Sequence, residues 1–168
     1  MILVDTSVIL DARDPNSPWH PWAVEQIATA VSAEGGAVNP VILAEASVKA
    51  PDRAAVPASL ESWGLQLLDL PSSVTAPTAA AFAQYLDRLK SKGKIGPRTP
   101  LPDFFIGAHA LVAGMTLATC DPRRVATYFP TVKLLSPSPF QRRPVPRRGR
   151  CKAGAKSSRD ASILSARS

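Results

Sequence analysis

The sequence Met-Ile-Leu-Val-Asp-Thr-Ser at residues 1–7 joins an apolar run to a carboxylate and two hydroxyls. Ile2-Leu3-Val4 has no polar position, which is typical of a strand buried on both faces of a parallel sheet. Asp5 ends this run, and Asp-Thr-Ser consists of residues that favour a helix start. Since ligands of open α/β sheets bind beyond the carboxyl ends of the strands, Asp5 is a candidate helix cap and also a candidate site residue.

Short β-type runs and helical segments alternate along the rest of the chain up to about residue 136. Further strands are expected at 37–39, 65–70, 115–119 and 132–135, and helices at 19–34, 40–49, 54–63, 78–89, 102–114 and 122–129. This alternation predicts an α/β fold, a three-layer sandwich with a mostly parallel central sheet.

The net charge of +7 is concentrated at the carboxyl end of the chain. Residues 141–168 hold nine of the 20 basic residues and one of the 13 acidic ones, so residues 1–140 carry 11 bases and 12 acids, a net of −1. The last 28 residues also have few large apolar side chains. We therefore predict a folded domain at 1–140 and a basic tail at 141–168 whose composition favours disorder.

Cysteine content and hydropathy exclude several classes of protein. Two cysteines cannot form a disulfide framework, and the two histidines show no zinc-ligand spacing with them. The first apolar run is only four residues long, and no later run is long enough to span a bilayer. We expect a cytoplasmic protein that does not contact membranes.

Four carboxylates occupy positions from which they could reach one edge of the sheet. Asp5 and Asp121 follow predicted strands, whereas Asp103 and Glu45 lie early in predicted helices. Helix capping or an interaction with the helix dipole would explain each aspartate by itself. Glu45 is different because its helix, 40–49, is apolar all round. A buried carboxylate needs a partner, so we expect a cationic group to face Glu45.

Convergence of these acids would require a cation. Two like charges about 4 Å apart repel by about 4 kcal/mol at an effective dielectric constant near 20. A site made only of oxygen ligands favours Mg²⁺ or Mn²⁺, and such ions assist phosphoryl chemistry. If the acids converge, the sequence therefore predicts a divalent-ion site for that chemistry.

Four blocks of the sequence resemble, in order, those of a PIN-domain nuclease, and most closely those of VapC-type toxins of bacterial toxin–antitoxin pairs. The blocks are Met-Ile-Leu-Val-Asp-Thr-Ser at 1–7, Asn-Pro-Val-Ile-Leu-Ala-Glu at 39–45, Leu-Pro-Asp-Phe-Phe-Ile-Gly-Ala-His-Ala at 101–110 and Leu-Ala-Thr-Cys-Asp-Pro-Arg-Arg-Val-Ala-Thr-Tyr-Phe at 117–129. No single block is specific, but four in the right order form a strong signal. The resemblance does not extend into residues 141–168.

The resemblance implies a Mg²⁺- or Mn²⁺-dependent endoribonuclease that hydrolyses RNA phosphodiester bonds. Its catalytic residues would be Asp5, Glu45, Asp103 and Asp121, which we call the acidic quartet. Asp5, Asp103 and Asp121 would hold one or two metal ions, and Glu45 would complete or orient the shell. Thr6 or Ser7, together with Thr119, would be auxiliary polar groups.

The same resemblance implies partners. A free endoribonuclease would damage its host, so a cognate VapB-type antitoxin is expected, reaching the acidic pocket with a basic side chain. A homodimer is also expected. Because an acidic site repels RNA, positive charge must flank it; the candidates are Lys90, Lys92, Lys94 and Arg98, although solvated loop charges would explain them equally well.

Other functions stay open from the residues. A receiver-like domain needs a second acid beside Asp5 and a late lysine, for which Lys133 is the one candidate. A phosphatase of the haloacid-dehalogenase type needs an aspartate where Ser7 stands. A non-catalytic RNA-binding or interaction module would not need four acids. His109 lies off the face of Asp103, and we interpret it as structural.

Overall fold

The computed structural model describes residues 1–48 and 50–137, and the predicted tail at 141–168 lies outside them. Five strands form one sheet in the order β3-β2-β1-β4-β5, and every neighbouring pair is parallel. The strands are β1 (Ile2–Val4), β2 (Gly36–Val38), β3 (Gln66–Leu67), β4 (Thr116–Ala118) and β5 (Leu134–Leu135). The predicted α/β fold is confirmed, with a sheet that is parallel throughout.

The helices pack in two groups. The first comprises α1 (Thr6–Arg13), α2 (His20–Thr29), α3 (Pro40–Ser47) and α4 (Val56–Ser62), and the second α5 (Thr75–Lys90), α6 (Pro102–Val112) and α7 (Arg123–Tyr128). A π-helical turn, Ala30–Glu34, continues α2, and a 3₁₀ turn, Ser72–Val74, precedes α5. Right-handed crossovers place the two groups on opposite faces of the sheet, which gives three layers.

β1 is the centre of the core. Ile2, Leu3 and Val4 are buried, and β1 pairs with β2 on one side and β4 on the other. The chain runs outward from β1 to β3 and then crosses to β4, so the strand order reverses between β1 and β4. Such a switch point is where open α/β sheets bind ligands, and Asp5 lies directly beyond it.

A buried pair joins the start of α3 to α6. The side-chain oxygen of Asn39 accepts hydrogen bonds from the backbone N–H groups of Val41 and Ile42 and so caps α3. This leaves the Asn39 amide nitrogen to donate to Nδ1 of His109, 3.1 Å away. His109 is therefore a structural residue of the core, as interpreted from the sequence, with its ring proton on Nε2.

Close packing of a glycine against an aromatic ring docks α7 on α6. The ring of Phe129, directly after α7, lies where a Cβ on Gly107 would be, within 2.5 Å. Phe129 is buried, and only the absence of a side chain at Gly107 permits this approach. The contact fixes the position of α7, which carries two arginines into the site described next.

Candidate active site

Asp5 is held rigidly at the carboxyl end of β1. Its Oδ1 accepts a hydrogen bond of 2.8 Å from the backbone N–H of Thr6, so Asp5 caps α1. Its Oδ2 accepts bonds from the hydroxyls of Ser7, at 2.6 Å, and Thr119, at 2.7 Å. The predicted role as a cap and the position at the proposed site therefore coexist, because the two carboxylate oxygens face different donors.

The same two hydroxyls tie the end of β4 to the end of β1. The Ser7 hydroxyl accepts from the backbone N–H of Cys120 at 3.0 Å, and that of Thr119 accepts from the N–H of Asp121 at 3.2 Å. The backbone N–H of Asp5 also donates to the carbonyl of Ala118 at 2.9 Å. Asp5 and Asp121 are thus brought to one sheet edge through Thr119.

Glu45 reaches the site from α3. Its Oε2 accepts a hydrogen bond of 2.7 Å from the hydroxyl of Thr6, the residue after Asp5. Within residues 1–48 and 50–137 Glu45 forms no ion pair, so no basic side chain there supplies the cation expected to face it, and that expectation stays a prediction. The partner of Glu45 is a hydroxyl. Glu45 is only partly buried, which lowers the cost of keeping its charge without an ion pair.

Asp103 and Asp121 each face an arginine of α7. Asp103 lies in the first turn of α6, as predicted, and forms an ion pair with Arg124. Asp121 forms an ion pair of 3.0 Å with Arg123, in which both side chains are largely exposed. The sequence makes Asp121 a candidate N-cap, but the N-cap of α7 is Pro122 and no side chain caps that helix.

The four acids are connected but not clustered. Thr6 links Asp5 to Glu45, Thr119 links Asp5 to Asp121, and adjacent arginines hold Asp103 and Asp121. Across the part of the chain that the structure describes, no three His, Cys, Asp or Glu side chains form a group that could hold a metal ion. The donor set is nevertheless all carboxylate oxygen, which is the chemistry that Mg²⁺ and Mn²⁺ select.

Three contributors to this region were not recognised from the sequence. Arg123 and Arg124 follow Asp121-Pro122 directly. The sequence pattern that could have identified them is a pair of cations at the start of a helix, next to an acid. Asp11 is 5% exposed and accepts a hydrogen bond of 2.7 Å from the Ser17 hydroxyl. Its signal is weak, because an acid on an eight-residue helix usually faces solvent.

Cys120 has no ligand character. Burial, together with the nearby carboxylate of Asp11, raises the pKa of the Cys120 thiol far above its ordinary range. The thiol therefore stays protonated at neutral pH, whereas a metal ligand or nucleophile must be a thiolate. This supports the interpretation of Cys120 as a small strand-end residue.

Comparison with known families agrees with this architecture. The family model for the PIN domain matches residues 2–129, from β1 to the residue after α7. The chain belongs to the PIN-domain family. The match ends before the predicted basic tail, and all four acids of the quartet lie inside it.

Solved structures of similar fold come from toxin–antitoxin complexes. VapBC2 from Rickettsia felis, crystallised with promoter DNA, shares 19% identity with a TM-score of 0.53 over 81% of this chain and 98% of that one. FitAcB from Neisseria gonorrhoeae shares 22% identity with a TM-score of 0.53 over 80% and 96%. VapBC-1 from nontypeable Haemophilus influenzae shares 15% identity with a TM-score of 0.54 over 81% and 98%. At these identities the likeness shows the fold of this PIN domain.

Two further findings complete the comparison. No curated protein matches the chain in sequence. Among the helices of residues 1–48 and 50–137, none has the length and apolar content needed to cross a membrane.

Proposed function

We propose that this PIN domain is a metal-dependent endoribonuclease toxin of the VapC type, neutralised by a cognate antitoxin. The observation that carries the proposal is the position of Asp5. It lies at the switch point of the sheet. Thr6 connects it to Glu45, with its backbone N–H on Asp5 and its hydroxyl on Glu45, and the Thr119 hydroxyl connects it to the backbone N–H of Asp121. A charged group fixed by three donors at a ligand-binding edge is typical of a catalytic centre.

Asp5, Asp103 and Asp121 are the residues that would hold Mg²⁺ or Mn²⁺, and Glu45 would orient the shell. When bound, such an ion supplies charge neutralisation at the scissile phosphate and lowers the pKa of water. To hold such an ion, Asp103 would have to exchange its ion pair with Arg124, and Asp121 its ion pair with Arg123. Since both aspartates are partly exposed, these pairs are weak enough to exchange.

The hydroxyls give the acids a fixed orientation. Ser7 and Thr119 donate to the same oxygen of Asp5, and Thr6 directs Glu45 toward β1. Fixed orientation matters because catalytic groups displaced by a fraction of an ångström lose much of their effect. The released arginines would then stand beside an anionic substrate, where their charge offsets that of the acids.

A non-catalytic RNA-binding module is the second candidate. The ion pairs of Asp103 and Asp121 with arginines favour it, because a quartet neutralised by its own chain has less need of a metal. The two candidates differ in one observable: only the nuclease cleaves RNA, and only in the presence of a divalent ion.

The deciding experiment is RNA cleavage by the purified full chain with Mg²⁺, Mn²⁺ or EDTA. Asp5→Asn, Glu45→Gln, Asp103→Asn and Asp121→Asn should each reduce the rate by about 100-fold or more, because side chains at a metal centre matter at least as much as the residues that support them. Glu61→Gln, an exposed acid on α4, is the matched control and should cleave normally. An Asp103→Asn protein that cleaves RNA at the wild-type rate contradicts the site assignment.

The antitoxin is a separate part of the proposal. The solved structures of similar fold are complexes with such partners, and the acids could accept a basic side chain from one. Expression of the complete operon should yield a co-purifying small protein that blocks cleavage, and the PIN domain should behave as a homodimer. A chain that stays monomeric and uninhibited would count against this part.

A further inference from the structure

A pocket opens beside Asp121, between the end of α5 and α7. Its volume is about 310 Å³, at the lower end of the range for ligand pockets. Four cations line it, Arg88 and Lys92 from α5 and the turn after it, and Arg123 and Arg124 from α7. Asp121 is the carboxylate in this lining, so the pocket is strongly positive and adjoins the acidic quartet.

The positive charge is local to this pocket, and nearby acids compensate only part of it. Residues 1–140 carry a net charge of −1, so the cations of the pocket stand out against a weakly acidic domain. Arg123 and Arg124 pair with acids of the quartet, whereas Arg88 and Lys92 form no ion pair within the residues that the structure describes. Two uncompensated cations therefore face the pocket.

The floor of the pocket is aromatic and is formed by Tyr85 and Tyr128. Tyr128 packs edge-on against the buried ring of Phe104, with centroids 5.3 Å apart, and Tyr85 contacts both rings. The guanidinium of Arg88 lies over the ring of Tyr128, 5.1 Å from its centroid. Stacking on the ring restricts the guanidinium and leaves its planar donor edge free, which is the geometry that recognises phosphate.

The aromatic floor also connects the pocket to the acids. Phe104 follows Asp103 on α6, and Tyr128 ends the helix that carries Arg123 and Arg124. A phosphate at Arg88 and Lys92 would therefore lie at a fixed position relative to Asp103 and Asp121. A strand of RNA places a phosphate on each side of the scissile one, so a neighbouring phosphate site has an evident ligand.

We propose that this pocket is a phosphate-binding subsite for single-stranded RNA, in which Arg88 and Lys92 hold the phosphate that neighbours the scissile bond. The inference rests on the proposed nuclease function of the adjoining acids. Arg88 and Lys92 are positioning residues: they bind substrate beside the reacting group and do not touch it. Of the loop cations predicted from the sequence, Lys92 is the one that lines this pocket.

Binding without cleavage tests the subsite directly. A fluorescent single-stranded RNA of about 12 nucleotides is titrated with the full chain in EDTA at several salt concentrations, with anisotropy as the readout. Arg88→Gln and Lys92→Gln should each weaken binding by about tenfold at low salt. The double variant should reduce the slope of log K against log salt by about 0.7, since one phosphate of the single strand is no longer neutralised.

The matched control removes the same charge elsewhere. Arg53→Gln with Lys133→Gln alters two exposed cations; Lys133 precedes β5 and so lies at the opposite edge of the sheet from the acids. The control should bind RNA within about twofold of wild type, and Arg88→Lys should restore part of the loss. In Mg²⁺ the pocket variants should raise KM with kcat nearly unchanged, which a structural defect would not do.

The outcomes separate the two proposals. Wild-type affinity in the pocket double variant, or an equal loss in the control, overturns the subsite. Loss of binding confined to the pocket variants, in a chain that does not cleave RNA with any divalent ion, supports the subsite and contradicts the nuclease. RNA cleavage by the wild-type chain, with pocket variants that bind RNA normally, supports the nuclease and contradicts the subsite.

Discussion

Thr119 supports two acids of the quartet with one hydroxyl. It is 2% exposed, and its one hydroxyl donates to Asp5 and accepts from the backbone N–H of Asp121. Thr119→Val keeps the shape and removes both bonds, so the Asp5 carboxylate and the Asp121 N–H, which are not fully buried, each lose a partner. We expect the free energy of unfolding to fall by about 1–3 kcal/mol, as measured by urea denaturation, and RNA cleavage to fall more than stability does.

Thr119→Ser is the control for this prediction. It keeps the hydroxyl and loses only a methyl group, so cleavage should be close to wild type. Equal rates for the valine and serine variants would show that the hydroxyl does not support Asp5.

His109 gives the domain a predictable response to pH. Burial lowers the pKa of His109 from its ordinary value of 6.5. The unfolded chain therefore takes up this proton at a higher pH than the folded one. The stability that the neutral ring contributes is complete above about pH 6.5 and is lost as the pH falls toward the lower folded pKa.

Urea denaturation between pH 7.5 and 5.5 measures this effect. The wild-type midpoint should fall across the range, and His109→Gln should flatten the fall while lowering stability at pH 7.5, because the bond from Asn39 is changed. A midpoint in wild type that does not change with pH would contradict the assignment.

The α6–α7 contact can be tested with one methyl group. Gly107→Ala places a Cβ about 2.5 Å from the ring of Phe129, so the ring or α7 must move. Overpacking of this kind costs about 1–3 kcal/mol of folding free energy. Because α7 carries Arg123 and Arg124, RNA binding should also weaken.

A second substitution distinguishes the clash from a general loss of stability. Gly107→Ala combined with Phe129→Leu makes room for the methyl group. If the clash is the cause, the double variant should be more stable than the sum of the two single effects predicts. Simple additivity of the two changes would exclude it.

Most elements were predictable because apolar periodicity and proline or glycine boundaries agree in this sequence. α1 was not among the predicted helices, and only the capping residues at its start indicated it, since Thr6-Ser7-Val8-Ile9 has low helix propensity and is held by packing. Residues 65–70 were expected to form a strand, but only Gln66–Leu67 pairs with β2, and both residues are exposed at the sheet edge. Apolar composition does not show how many residues of β2 are available to pair with β3.

The candidate site was also predictable only in part. Strand ends identify Asp5 and Asp121, because sequence order and the parallel sheet place both at one edge. The ion pair of Asp103 with Arg124 depends on the rotation of α7 against α6, to which the contact of Phe129 with Gly107 contributes. Local sequence carries no information on that rotation, so Arg123 and Arg124 read as exposed surface charges.

At the scale of the whole molecule, charge separates the domain from its predicted tail. The tail, 141–168, has a net charge of +8 and lies outside the described residues. We expect truncation after Phe140 to leave folding intact, weaken RNA binding at low salt and flatten its salt dependence, because fewer counterions are released. The choice of cleavage position should not change.

Titration of the truncated and full chains at two salt concentrations, with mapping of the cleaved ends, tests this. Loss of the folded state on truncation, or a shifted cleavage position, would mean that the domain extends beyond residue 140.

The central place of β1 also has a consequence for synthesis. Of the five described strands, the one that is synthesised first is the middle strand of the finished sheet, and Thr119, which donates to Asp5, lies 114 residues after it. Pairing across such a separation is slow and waits for the distant strand. A nascent chain that already displays Asp5 and Glu45 therefore has no assembled acidic edge until β4 has emerged. Most of the domain is therefore translated before the proposed nuclease can cleave RNA.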